Sequence, residues 1–242
     1  MVALRGMAAA AVAIAGLALV AGADRPRAAG SDNPSFLFFT GTDFWRYGAF
    51  LNGGLLWSPA GVDTGGFTFK MLLDGGRYSY VSGGLQQTID GTQLSAAALP
   101  GWRLTRDGLT VTLFAGPLVQ DYRLVPNDPG SRLRGFYVGA QTEADIWYQP
   151  NALTMASFDG AISSIGPTGY VRGAIGFRLF ASAFVGPEVG QFWCANFDEI
   201  EFGAHVTALR IRSAEWSLGS GWAVSSDQRS GPYLRLGVSM RY

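Results

Sequence analysis

Two carboxylate pairs, Glu143 with Asp145 and Glu199 with Glu201, stand two residues apart in stretches that alternate apolar with polar side chains. In an extended strand that spacing places both carboxyls on one face, about 6–7 Å apart. Such a separation suits paired-acid glycoside hydrolysis. His205 is the only histidine, and Thr207 lies two residues on, facing the same way, so a base stands beside a hydroxyl. The competing reading is structural: neutralised acids and a hydrogen-bonded histidine. No Gly-x-Ser-x-Gly elbow or phosphate-cradling glycine loop is present. One histidine and one cysteine make no ligand set, so no metal and no other cofactor is expected.

The elements that position these groups are strands. Glycine is 34 of 242 residues, about twice the usual share of roughly 7%. With seven Trp, nine Tyr and sixteen Phe, the composition favours strands and tight turns. Residues 1–23 have the form of a secretory signal: Arg5, an apolar run from Met7 to Val20, then Ala21-Gly22-Ala23. The run is shorter than the roughly 20 residues of a spanning helix. Removing residues 1–23 leaves 242 − 23 = 219 residues and, without Arg5, 17 basic against 18 acidic side chains. That balance gives no basis for a nucleic-acid partner.

After a disordered lead-in over 24–35, the pattern predicts a barrel over 36–242. The first strand pair is 36–46 and 47–57, and a third strand carries Phe67, Phe69, Met71 and Leu73 against Thr68, Lys70, Leu72 and Asp74. Gly75-Gly76 suggests a bulge, 81–90 a loop, and Pro100 a second bulge, because proline cannot donate to a ladder. Further strands alternate through Phe136–Trp147, Tyr170–Arg178 and Glu199–Ala208, with a loop before Ile200. The last strand has Leu234, Leu236, Val238, Met240 and Tyr242 on one face and Tyr233, Arg235, Gly237, Ser239 and Arg241 on the other. The expected count is twelve strands in an antiparallel up-and-down transmembrane β-barrel of the bacterial outer membrane, with lipid as its partner and longer loops after odd-numbered strands. A soluble periplasmic barrel is the alternative.

On this facing, Lys70, Arg103, Glu143, Asp145, Arg172, Glu188, Glu199, Glu201, His205, Tyr233 and Arg235 point into the lumen, as a polar network or a path for a glycan. Arg235 and Arg241 are expected to balance Glu143 and Glu199. Tyr78, Tyr80 and Trp147 lie near the lumen or loops, where sugar rings could stack on them. Some outer-membrane lipid hydrolases carry His-x-Ser on a strand; here the hydroxyl is on Thr207 and faces inward, away from lipid.

Several blocks resemble the BcsS family of bacterial cellulose biosynthesis proteins. They include Phe39-Thr-Gly-Thr-Asp-Phe-Trp45, Gly53-Gly-Leu-Leu-Trp-Ser-Pro59, Gly76-Arg-Tyr-Ser-Tyr80 and Leu99-Pro-Gly-Trp102. Further on come Trp147-Tyr-Gln-Pro150, Val185-Gly-Pro-Glu188, Gly203-Ala-His-Val-Thr207 and Ser230-Gly-Pro-Tyr-Leu-Arg-Leu236. The resemblance runs from about Phe36 to the end and implies a secreted, outer-membrane-type protein of cellulose production; together with the signal and the barrel pattern it leads to the expectation of a non-catalytic accessory of cellulose or exopolysaccharide synthesis and export. It brings no catalytic residues, and it implies cellulose or a related glycan and the cellulose synthase machinery as partners. A lipid- or glycan-modifying barrel enzyme and a small-solute pore are the alternatives.

Overall fold

The strands of the computed structural model are β1 (Phe36–Trp45), β2 (Gly48–Trp57), β3 (Gly66–Ser82), β4 (Gln87–Arg106), β5 (Leu109–Val125) and β6 (Gly135–Tyr148). They continue with β7 (Thr154–Ser163), β8 (Thr168–Phe180), β9 (Ala183–Cys194), β10 (Phe197–Ile211), β11 (Ala214–Ser225) and β12 (Ser230–Arg241). The structure describes residues 33–166, 168–180, 182–194, 197–226 and 229–242, so the signal expected at 1–23 lies outside the described residues. Every strand pairs antiparallel with its sequence neighbours, and β12 closes on β1. Closure removes the free edges that an open sheet would offer to other chains. The C-terminal strand is the seam: Tyr233–Arg241 pairs with Leu37–Trp45, and Ser230–Met240 pairs with Ala214–Val224.

The two faces are inverted relative to a water-soluble barrel. Outward Val138, Leu73 and Leu94 are 71%, 65% and 64% exposed, while Lys70, Glu188 and His205 are only 7%, 5% and 1% exposed. Apolar side chains cover the outer wall on strand after strand, from Phe38 and Leu51 through Phe136 and Ile175 to Leu234 and Leu236. Soluble monomers rarely expose apolar patches beyond a few hundred Å². Part of the interior is apolar too. Leu56, Leu99, Phe114, Leu118 and Tyr122 pack with Leu133 and Ile165, which belong to loops folded inward.

Several expected irregularities are absent, and others stand elsewhere. β3 and β4 form one long hairpin, so the loop expected at 81–90 shrinks to 83–86. Gly75 and Gly76 pair in unbroken register with Leu51 and Phe50, without a bulge. β9 runs on to Cys194 and β10 begins at Phe197, which replaces most of the loop expected before Ile200. Pro100 pairs with Phe69 without a register shift. Toward β5 the ladder is interrupted at Pro100 without a register shift: pairs Ala97↔Leu118 and Gly101↔Phe114 bracket Ala98, Leu99 and Pro100, which stand unpaired opposite Ala115, Gly116 and Pro117. Pro117 has no N–H to donate. Gly116 then admits the freed Ala98 carbonyl, which would lie 2.1 Å from a Cβ at that site. Register shifts occur at Val206/Leu209, where Ala208 has φ 59°, and at Arg178/Phe180, near the break expected at Leu179.

Turns follow their sequence chemistry more than the expected rhythm. Asp107 and Gly108, both at positive φ, make the two-residue hairpin that matches strand twist. Yet 58–65, after an even-numbered strand, is among the longer loops, and 46–47, after an odd one, is among the shortest. Loop 58–65 folds inward at the end that carries residues 36 and 242. The Arg103 guanidinium donates to the Val62 carbonyl, Arg241 lies 3.5 Å from Asp63, and Val62 is buried. Three residues expected in the disordered lead-in are tied down there: Asn33 donates to Ala60, and Pro34 and Ser35 accept from Val62 and Ser58.

Candidate functional site

Alternation turns the polar face of every strand toward one lumen, which holds a cavity of about 370 Å³. Its charges come in groups that span non-adjacent strands. Lys70, on β3, reaches across β4 and β5 to β6, where its Nζ is 2.5 Å from Glu143 and 2.8 Å from Asp145. The ammonium passes 4.2 Å from the Phe114 ring centroid. Arg172, on β8, contacts Glu201 at 2.9 Å and Asp43 at 3.5 Å. Arg235, on β12, donates to Glu188 of β9.

Glycines make a further reach possible. Glu188, Gly203, Gly221 and Tyr233 stand in one row across β9 to β12. The two glycines leave a trough along which Tyr233 lies back, and its hydroxyl donates to Glu188 at 2.9 Å. A Cβ on Gly203 would come 2.5 Å from that hydroxyl and 2.2 Å from the Ser220 carbonyl. Arg235 therefore finds Glu188, and Arg241 finds Asp63 and Glu215, in place of the expected Glu143 and Glu199.

Both carboxylate pairs are engaged by neighbouring side chains. Glycoside cleavage needs one acid to donate a proton while the other attacks or activates water. Glu143 and Asp145 instead share one ammonium, a lysine where arginine was expected. Glu201 is held by Arg172, and Glu199 accepts from the Ser225 hydroxyl at 2.9 Å.

His205 is engaged at both nitrogens. Pro187 stands opposite Ile175 between the pairs Ala174↔Glu188 and Phe177↔Val185, and it offers no N–H. Gly186 lets the orphaned Ile175 carbonyl swing inward, where a Cβ would lie 1.9 Å from it. His205 Nε2 sits 3.2 Å from that carbonyl and donates to it, leaving Nδ1 to accept from the Thr207 hydroxyl at 2.9 Å. The histidine replaces a missing ladder bond. His205→Ala should cost about 1–3 kcal/mol by stranding a buried carbonyl. It should leave lipid and glycan profiles of the cells unchanged, as urea titration and mass spectrometry would check.

Other expected site residues are more dispersed. Arg103 donates to Thr112 and to the Val62 carbonyl and so braces the terminal mouth. Trp147 packs edge-on against Phe184, ring centroids 6.0 Å apart, at the same end of the barrel. Tyr78 and Tyr80 stand at the opposite end, beneath loop 126–134. The Tyr80 hydroxyl donates to Asp128 at 2.9 Å, and that bond, with Gly130 N–H among further donors, holds the Asp128 carboxyl below its ordinary value.

Sequence reasoning missed Trp45, Phe50, Asn52, Gln93 and Gln120, all of which line the lumen voids. A usable signal was present. Phe39, Gly41, Asp43 and Trp45 share the inward face of β1, and the register of the 36–57 hairpin sets Trp45 opposite Gly48. Among the described residues no cluster of His, Cys, Asp and Glu could hold a metal ion.

Solved structures similar to this chain are outer-membrane barrels. LpxR from Salmonella typhimurium matches with 11% identity and a TM-score of 0.49 over 86% of this chain and 100% of its own. A TodX deltaS2S3 mutant monoaromatic hydrocarbon channel matches with 8% identity and a TM-score of 0.50 over 87% and 92%. A KdgM porin matches with 10% identity and a TM-score of 0.44 over 85% and 99%. At these identities the likeness concerns the fold alone. No curated protein matches the chain by sequence. The family described as cellulose biosynthesis protein BcsS matches over residues 37–242, which is the whole barrel but its first residue, and the chain belongs to that family.

Proposed function

We propose that this protein is a non-catalytic outer-membrane component of bacterial cellulose biosynthesis, working as an accessory to synthesis or export of the polymer. The observation that carries the reading is the inverted barrel in a chain of the BcsS family: an apolar outer wall around a lumen of paired charges. Such a wall suits a bilayer, where a closed barrel satisfies every backbone group. Strand β12 would place Leu234 and Leu236 in lipid, with the terminal mouth in the periplasm.

The non-catalytic part rests on the state of the candidate groups. Both carboxylate pairs are held by hydrogen bonds or ion pairs, and both ring nitrogens of His205 are occupied. Loop 58–65 folds inward at one mouth, with Val62 buried and bonded to Arg103, which favours a binding or docking role over an open conduit. Deleting the gene should abolish or strongly reduce secreted cellulose, measured by dye binding and by sugar analysis after cellulase digestion. Complementation by the Glu143→Gln and Glu201→Gln variants should restore it. Normal cellulose output from the deletion strain would contradict the proposal.

A further inference from the structure

Four aromatic rings pave one side of the lumen at the mouth opposite the termini. Trp45, Phe50, Tyr78 and Tyr80 follow one another with centroids 5.7, 6.4 and 6.2 Å apart and planes inclined by only 6°, 15° and 22°. Three of them stand directly across a strand seam from an inward glycine: Trp45 from Gly48, Phe50 from Gly76, and Tyr78 from Gly91. A Cβ on Gly48, Gly76 or Gly91 would come within 2.4, 2.5 or 2.4 Å of its partner ring. Each ring therefore leans one strand over and lies flat on bare backbone. One face is against the wall and the other is turned into the lumen.

The exposed faces border open space. Trp45 and Phe50 line the 370 Å³ cavity, and all four rings line an adjoining pocket of about 50 Å³ toward the mouth. Cavities of roughly 300–1,000 Å³ with apolar walls and a few placed polar groups are the usual form of small-ligand sites. Uncharged polar groups beside this pavement include Asn52, Gln93, Ser95, Gln120 and Gln141, and among them the Asp74 carboxyl accepts from Ser95. The described lumen cations nearby are committed elsewhere: Lys70 to Glu143 and Asp145, Arg172 to Glu201 and Asp43, and Arg235 to Glu188. Glu143 lines the cavity, and its buried Oε2 has no hydrogen-bond partner.

From this geometry we infer that the pavement is a binding platform for a neutral, β-linked pyranose oligosaccharide. Such a chain has flat apolar C–H faces and hydroxyls around its edge. The faces match rings whose planes run nearly parallel, and the ring spacing is close to the length of one pyranose unit. The edge hydroxyls match side-chain amides and hydroxyls, which both donate and accept. An acidic glycan would need cations that this lumen has already paired. The choice of a β-1,4-glucan among neutral glycans rests on the proposed role in cellulose production.

The test is binding of cellohexaose to the refolded full-length protein in detergent, by calorimetry and by tryptophan fluorescence, with an oligogalacturonate in parallel. Cellohexaose should bind and the acidic oligomer should bind at least tenfold more weakly. Phe50→Leu and Tyr78→Leu keep an apolar cover over Gly76 and Gly91 but remove the ring face. Each should weaken binding at least tenfold while the barrel keeps its heat-modifiable gel mobility. Absence of cellohexaose binding, equal binding of the acidic oligomer, or unchanged affinity in both leucine variants would overturn the inference. Tyr80→Ala, at a half-buried ring, supplies a further variant if either leucine variant fails to fold. These outcomes are separate from the cellulose phenotype of the deletion strain, which tests the cellular role alone.

Discussion

Lys70→Met should destabilise the barrel by about 3–5 kcal/mol, because it leaves buried acidic charge without its counterion. The Lys70 and Glu143 side chains are 9% and 6% exposed, so neither is well hydrated. Asp145, at 40%, keeps part of its water and contributes less to the loss. Methionine preserves most of the volume of the lysine stem, so the loss would come from charge and not from a cavity. Adding Glu143→Gln to Lys70→Met should therefore recover part of the stability. Urea unfolding in lipid vesicles, followed by tryptophan fluorescence, gives both values. A loss below about 1 kcal/mol, the range of an exposed ion pair, would mean that water hydrates this group well.

Leu236→Arg tests the other face. Leu236 points outward at the middle of β12, opposite Thr42 of β1 and Leu218 of β11. If that position sits at the bilayer midplane, the arginine should cost about 2–4 kcal/mol, and arginine at Tyr242, near an interface, only about 0–1. On a water-facing wall both substitutions would stay within about 0.5 kcal/mol. The depth dependence is the informative quantity. Equal small effects at the two positions would place this wall in water and remove the membrane assignment.

The two substitutions lie on opposite faces of one wall, and alternation along the chain made those faces legible. Lys70, Glu143, Asp145, Glu188, Glu199, Glu201, His205 and Arg235 could be assigned inward because side chains alternate strictly along a strand. For the same reason Leu234 and Leu236 could be assigned outward, and twelve strands could be counted. Strand ends were less legible. The loop expected at 81–90 is polar around Gly83-Gly84, the one before Ile200 loses its alternation at Phe192-Trp193-Cys194, and nothing local says that a neighbouring strand will pair with them. At Pro100 the ladder toward β5 is interrupted but keeps its register, because its response to proline depends also on the opposite strand. There Gly116 can admit a displaced carbonyl, as Gly186 does beside Pro187.

Sequence alone thus pointed to the barrel, to twelve strands, to the facing of most of them and to most of the charged groups that meet in its lumen, since period and turn chemistry are local properties. Only the tertiary structure decided which groups meet, because partners such as Lys70 and Glu143 lie on strands that are not neighbours in the sheet. It also decided the fate of the candidate catalytic residues. His205 completes a ladder bond that Pro187 cannot make, and both carboxylate pairs are held in place. Tyr78 and Tyr80 could be read as candidate sugar contacts, but not the flat pavement they form with Trp45 and Phe50. That surface depends on register, which sets each of three rings opposite a glycine on the next strand.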